Sequence, residues 1–275
     1  MVSKFPQQRL IIVAPNGAYK SKSDHPNLPI TPEEISNDVV ACVNAGAGMV
    51  HLHARSEDGK HTLDIEQNYK VLSTVKKAIG DKAIIQLTTE AIGKFKPEQQ
   101  MRLIRELMPE AASFALLELI PAPEFETEAS VFFYWLAENN IMSQYIIYSP
   151  DQLAYYLDLR SRKLLPDMAH HILIVLGRYR KEQESHPEDI SPFLPLIEQL
   201  DVRWAMCAFG KREQDCLVMA AQLGGDVRIG FENNIYKPTG GLAFSNADQV
   251  KRLADQLEEE VNLSAMPASN FRRCI

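Results

Sequence analysis

The chain has 275 residues, 45% of them hydrophobic and 24% charged, an ordinary globular composition with length enough for a large core. A net charge of -7 without a basic block argues against nucleic acid or an anionic membrane surface as a partner. No apolar run reaches membrane-spanning length, the opening MVSKFPQQRLIIVAP carries no cleavage-type signal, and Cys42, Cys207, Cys216 and Cys274 lack paired spacing; the expectation is a cytoplasmic protein with reduced thiols.

Residues 9–14 (RLIIVA) are a short apolar run rich in β-branched side chains, hence a strand. Residues 15–29 carry Gly, Pro, Asn, Ser and Asp and read as a long loop. Thr31-Pro32-Glu33-Glu34 then opens a helix, with Thr31 at the N-cap, Pro32 in the first turn and Glu34 closing a capping box. This helix runs to about Ala45 and stops at Gly46, and residues 48–53 form the second strand. The alternation continues with helix 65–79, strand 83–88, helix 97–107, strand 112–117, helix 128–139, strand 145–148 and helix 151–159. Strand 171–176, helix 190–200, strand 202–208, helix 212–223, strand 227–230 and helix 246–258 follow. The aromatic run Phe132, Phe133, Tyr134, Trp135 reads as core by default, or as a subunit interface.

Eight strand-helix units with near-continuous apolar strands predict a closed (β/α)8 barrel, one domain over residues 1–275. A doubly wound open sheet is the alternative, but no glycine-rich dinucleotide fingerprint follows the first strand. In such a barrel the active site lies at the C-terminal strand ends. Polar residues there are Asn16; His51, His53 and Arg55; Gln86, Thr88, Thr89 and Glu90; Ser113 and Glu118; Tyr148 and Ser149; Arg178; and Arg228, Glu232, Asn233 and Asn234.

His51 and His53 stand two apart in a strand, so they share one face. Two imidazoles so placed suit a transition metal, or are core histidines bonded to backbone. Closure of the barrel brings strand eight near strand two, so Glu232 either completes a two-histidine, one-glutamate site with an open position or is a solvated loop acid. Arg228 in a buried strand requires an internal acid or an anionic substrate group. Thr88 and Ser113 hold a substrate carboxylate or bond to backbone. His25, His61 and His186 in polar loops, and His170-His171 at the other end of the barrel, read as solvated or structural.

Four segments carry a resemblance: NLPITPEEI at 27–35, AGAGMVHLHAR at 45–55, GGDVRIGFENN at 224–234 and LAFSNADQV at 242–250. With these the chain resembles the β-keto acid cleavage enzymes, of which the 3-keto-5-aminohexanoate cleavage enzyme is typical. The resemblance implies a (β/α)8 barrel, usually a homotetramer, with one zinc or similar divalent metal. It implies exchange of an acyl group between a β-keto acid and acetyl-CoA, releasing acetoacetate and a new acyl-CoA. By position it makes His51, His53 and Glu232 the metal ligands, Arg228 a substrate-holding group, Thr88 a contact to the substrate carboxylate, and Ser113 the hydroxyl of strand four. Three positions depart from the pattern. Asn233 stands where the family has aspartate, Ile146 where it has a strand-five glutamate (Gln144 being the nearest polar alternative), and Glu90-Ala91 where it often has Gly-Gly. Glu90 is then the candidate to replace a missing carboxylate. Neither Asn nor Ile can act as a base, so acyl transfer is expected to be weak or altered while keto-acid binding survives. A CoA-independent metal-dependent lyase or hydrolase, and a ligand-binding paralogue without turnover, are the competing expectations.

Overall fold

A computed structural model of the chain describes residues 5–167, 170–177 and 184–275. Eight strands close into a parallel barrel. They are β1 (Ile11–Val13), β2 (Met49–Leu52), β3 (Ile84–Thr88), β4 (Ala111–Ala115), β5 (Met142–Ile147), β6 (His170–Leu176), β7 (Arg203–Ala208) and β8 (Asp226–Ile229). Each pairs with the next in sequence, and β8 returns to β1 with Arg228 beside Ile12. Strand side chains alternate between two apolar layers. Val50 and Leu52 belong to the layer under the helices, whereas Ile12, Met49, Ile84, Ala111, Met142 and Leu173 fill the barrel.

The outer ring is α1 (Pro32–Asn44), α2 (Ile65–Ile79), α3 (Pro97–Leu107), α4 (Glu126–Glu138), α5 (Pro150–Ser161), α6 (Leu194–Ile197), α7 (Glu213–Gln222) and α8 (Asn246–Val261). The capping box of α1 is as expected: Glu34 N–H donates to Thr31 Oγ1, and Thr31 N–H donates back to the Glu34 carboxylate. α1 packs between α2 and α8.

The barrel floor is charged and tied together. Asp226, fully buried, accepts from Leu10 N–H at 2.8 Å, from Arg203 Nε at 3.0 Å and from His171 Nε2 at 3.2 Å. Gln144 bonds to His171 Nδ1 at 2.8 Å, which commits it to the floor. The C-terminal residues Met266, Ala268 and Phe271 plug this end, and Gln8–Arg9 pairs in parallel with Ser264–Ala265.

Several elements differ from expectation. Strand four ends at Ala115, and Leu116–Leu119 turns into one helical turn, so Glu118 lies on a helix. Strand five begins at Met142. The helix expected over 190–200 is a 3-10 turn, Pro187–Phe193, followed by the short α6, because Pro192 and Pro195 lack the N–H that an unbroken α-helix needs. Of the aromatic run, Phe132 and Phe133 are fully buried core, whereas Trp135 is half-buried and Tyr134 exposed. Arg178 lies outside the described residues.

Candidate active site

His51 points inward from β2, and His53 follows one step past its end. Glu232 reaches them by a tight turn after β8. Gly230 has φ +134°, and a Cβ there would sit 2.4 Å from Ala14 O, so only glycine permits the approach that lets Glu232 N–H bond to Ala14 O. On the other side of Glu232, Gly17 has φ +63°, and a Cβ there would lie 2.5 Å from Glu232 Cγ.

The three candidate donors form a triangle. His51 Nε2 and His53 Nε2 are 3.1 Å apart, His53 Nε2 and Glu232 Oε2 3.3 Å, and His51 Nε2 and Glu232 Oε2 3.6 Å. Zinc bonds of about 2.0–2.1 Å in tetrahedral geometry set neighbouring donors about 3.3 Å apart. The triangle therefore matches one ion. Glu232 Oε2 is buried with no hydrogen-bond partner, as a ligand atom awaiting a cation would be.

Both histidines are oriented from behind. Gln86 Oε1 lies 2.7 Å from His51 Nδ1 and accepts a hydrogen bond from Nδ1–H, leaving Nε2 free to ligate. His61 Nε2–H donates to the Glu90 carbonyl at 2.9 Å, since a carbonyl can only accept. His61 Nδ1 is then an acceptor, and His53 Nδ1–H faces it at 3.4 Å. This chain again leaves Nε2 bare. Burial holds His51 neutral with its pKa pushed down to about 4, and pushes His53 well below the ordinary imidazole value. Burial would raise the Glu232 carboxyl, but the Arg228 guanidinium beside it outweighs this and keeps the acid ionised.

His51 and Glu232 border a cavity that Thr88, Glu90, Ser113, Ile146, Arg228 and Asn233 also line. Arg228 is buried, donating from Nη2 to Glu232 Oε1 at 2.5 Å and from Nε to Asn233 Oδ1 at 3.2 Å. Thr88 Oγ1 accepts from Glu90 N–H at 3.1 Å. Ser113 Oγ and Asn233 Nδ2 are buried without hydrogen-bond partners. A cavity bordered by an unsatisfied hydroxyl, an unsatisfied amide and a guanidinium suits a small ligand rich in oxygen.

A family model for β-keto acid cleavage enzymes matches residues 9–275. The chain belongs to that family. It is 28% identical over 267 residues to the 3-keto-5-aminohexanoate cleavage enzyme of Fusobacterium nucleatum, covering 92% of this chain and 94% of that one. It is 27% identical over 262 residues to the 3-oxoadipate:acetyl-CoA acetyltransferase of Cupriavidus necator, covering 92% and 89%. Among solved structures, a binary complex of ObcA with oxaloacetate superposes with a TM-score of 0.71 at 19% identity, over 90% of this chain and 67% of that chain. This likeness supports the barrel fold.

In this β-keto acid cleavage enzyme, the strand-five position facing the cavity is Ile146, because Gln144 is one layer lower and engaged by His171. Glu90 is near the donors: its Oε2 is 3.8 Å from His53 Nδ1, and it lines the cavity. Glu118 and Tyr148 also line the cavity, whereas Asn16, Arg55 and Ser149 are engaged by the surrounding backbone. Asn16 donates to the Pro29 and His53 carbonyls, Arg55 to the Gly17, Lys20 and Gly59 carbonyls, and Ser149 caps α5. His25 is buried and bonded to Ala243 O, whereas His186 is exposed.

Of the two readings for the loop residue His61, solvated or structural, the structure shows the structural one. His61 is buried against His53, with ring centroids 5.0 Å apart. The turn Ser56-Glu57-Asp58-Gly59 folds the chain back, with Ser56 N–H on Lys60 O and Arg55 bridged to His61. An Asp-Gly pair two residues before a histidine was the available signal, since this dipeptide reverses a chain.

Proposed function

We propose that this family member is a zinc-dependent acyltransferase that cleaves a β-keto acid with acetyl-CoA as co-substrate. The exchange balances as R–CO–CH2–COO⁻ plus CH3–CO–SCoA giving R–CO–SCoA plus CH3–CO–CH2–COO⁻. The observation that carries the reading is the triangle of His51 Nε2, His53 Nε2 and Glu232 Oε2 beside a cavity with unsatisfied polar atoms.

A divalent ion held by His51, His53 and Glu232 supplies Lewis-acid polarisation of a carbonyl oxygen. Arg228, with Thr88 and Ser113, holds the substrate carboxylate. Asn233 donates from Nδ2 to a substrate oxygen and, as an amide, moves no proton. Glu90 is the carboxylate placed to take and return one. With an amide at 233 and Ile146 on the wall, transfer is slower than a full set of carboxylates would support, while binding is retained. We further propose that residues 1–275 act as one barrel unit, as a homotetramer in the cytoplasm. Among the described residues no helix is long and apolar enough to cross a membrane. Light scattering at the monomer mass of 31.0 kDa would contradict the tetramer.

The test is a panel of β-keto acids with and without acetyl-CoA, with products followed by mass spectrometry. Acetoacetate and the matching acyl-CoA should appear in equal amounts and only with acetyl-CoA. Loss of keto acid without acetyl-CoA would assign a lyase or hydrolase instead. Binding without turnover would assign a non-catalytic paralogue.

A further inference from the structure

The cavity has two unlike sides. The metal donors and Arg228 come from β2, β8 and the turn after β8. Across the barrel, β4, β5 and β6 contribute Ala115, Ile146 and Val175, and Phe209, after β7 and so beside β8, joins them on the cavity wall. Each of these is at most 9% exposed, and all belong to the apolar cluster inside the barrel. The register sets Ile146 beside Ala115 on one neighbour and Leu173 on the other, and Val175 follows Leu173 on the same inward face of β6.

The charged groups that also line the cavity are engaged by other protein groups. Arg228 is engaged by Glu232 and Asn233. Glu90 Oε2 lies toward His53. Glu118 accepts from Ala91 N–H at 2.9 Å and from Gln100 Nε2 at 3.0 Å, which turns its carboxylate to the α3 side. Tyr148, half-buried, adds a phenol at the rim.

We propose that the keto acid of this enzyme carries an uncharged, apolar distal chain, seated on the wall of Ala115, Ile146, Val175 and Phe209. The inference rests on the reading of this site as a β-keto acid cleavage centre. A substrate held by its keto acid end at the metal and Arg228 projects its distal end across the barrel. A methylene there leaves water for carbon. A terminal ammonium or carboxylate there loses hydration and meets no opposite charge on the wall.

Equilibrium binding without acetyl-CoA separates this claim from the exchange chemistry. Zinc-loaded protein is titrated calorimetrically with 3-oxohexanoate, with 3-oxoadipate (a terminal carboxylate) and with 3-keto-5-aminohexanoate (an ammonium on C5). The apolar acid should bind at least about tenfold more tightly than either charged one, since an unpaired buried charge costs several kcal/mol. Lengthening it by one methylene should tighten binding by up to about fourfold. Ile146→Glu should narrow the gap to the ammonium-bearing acid; Ile146→Ala, a milder change, should weaken the apolar acid and leave the charged ones unmoved. Equal or tighter binding of either charged acid overturns the proposal, as does failure of all three to bind. If the expected order holds but acetyl-CoA yields no acetoacetate, the exchange reading falls and the wall assignment stands. Turnover with a reversed order does the opposite.

Discussion

Glu232 is held between two constraints, the Gly230 turn that delivers it and the Gly17 backbone that it rests against. Gly17→Ala would place a methyl on the Glu232 side chain and force alanine to φ +63°, so metal affinity should fall at least about tenfold while the barrel still folds. Competition with a chromogenic chelator reads this directly. His61 acts one step further out. His61→Phe keeps a ring of similar size but removes the acceptor facing His53 Nδ1, and zinc affinity should weaken by about 10- to 100-fold. The melting temperature of the metal-free protein should change little, and His61→Asn, whose Oδ1 can stand in for Nδ1, should restore part of the loss. At position 233 the expectation runs the other way. Asn233→Asp returns a carboxylate beside Arg228 and should raise turnover with acetyl-CoA, toward the roughly 10²–10⁴-fold that one positioned acid or base contributes. Unchanged steady-state kinetics would mean that residue 233 carries no proton in this enzyme.

The elements show where local chemistry was readable and where it was not. Thr31, Pro32 and Glu34 announce α1 because a capping box is settled within four residues. The strands were legible because both faces are buried, but their ends were not: Ala115 to Leu119 is apolar whether strand or helix, and periodicity cannot separate the two over so short a run. The floor of the barrel was missed because its partners, Leu10, His171, Arg203 and Asp226, are distant in sequence and meet only on closure. That floor makes a prediction of its own. Burial would raise the Asp226 carboxyl, but the bonds from His171 and Arg203 outweigh it, so its pKa in the fold lies below the ordinary 3.8. A depressed carboxyl stabilises the fold above its unfolded pKa, and that contribution is lost as pH falls below about 4. Asp226→Asn should therefore cost on the order of 3 kcal/mol at pH 7. Denaturant unfolding should show the gap to the unmodified protein closing toward pH 3.

For the molecule as a whole, eight strand-helix repeats made the barrel legible, and barrel closure alone placed Glu232 beside His51 and His53. The orienting groups behind them were less so. Gln86 required the strand register that pairs it with His51, and His61 required the hairpin that returns it to His53. The apolar wall was invisible in sequence because Ala115, Ile146, Val175 and Phe209 look like any other core residues until the strands are set side by side. Metal, acetyl-CoA and keto acid meet in one claim, and one labelling measurement addresses it. The protein is incubated with 3-oxohexanoate and acetyl-CoA labelled in the acetyl group, once zinc-loaded and once stripped by chelator and checked for metal content. Label should enter acetoacetate in the loaded protein, matched by unlabelled acyl-CoA, and should vanish on stripping and return with zinc. Labelled acetoacetate formed equally well by the stripped protein, or keto acid consumed with no label transferred, would contradict the account.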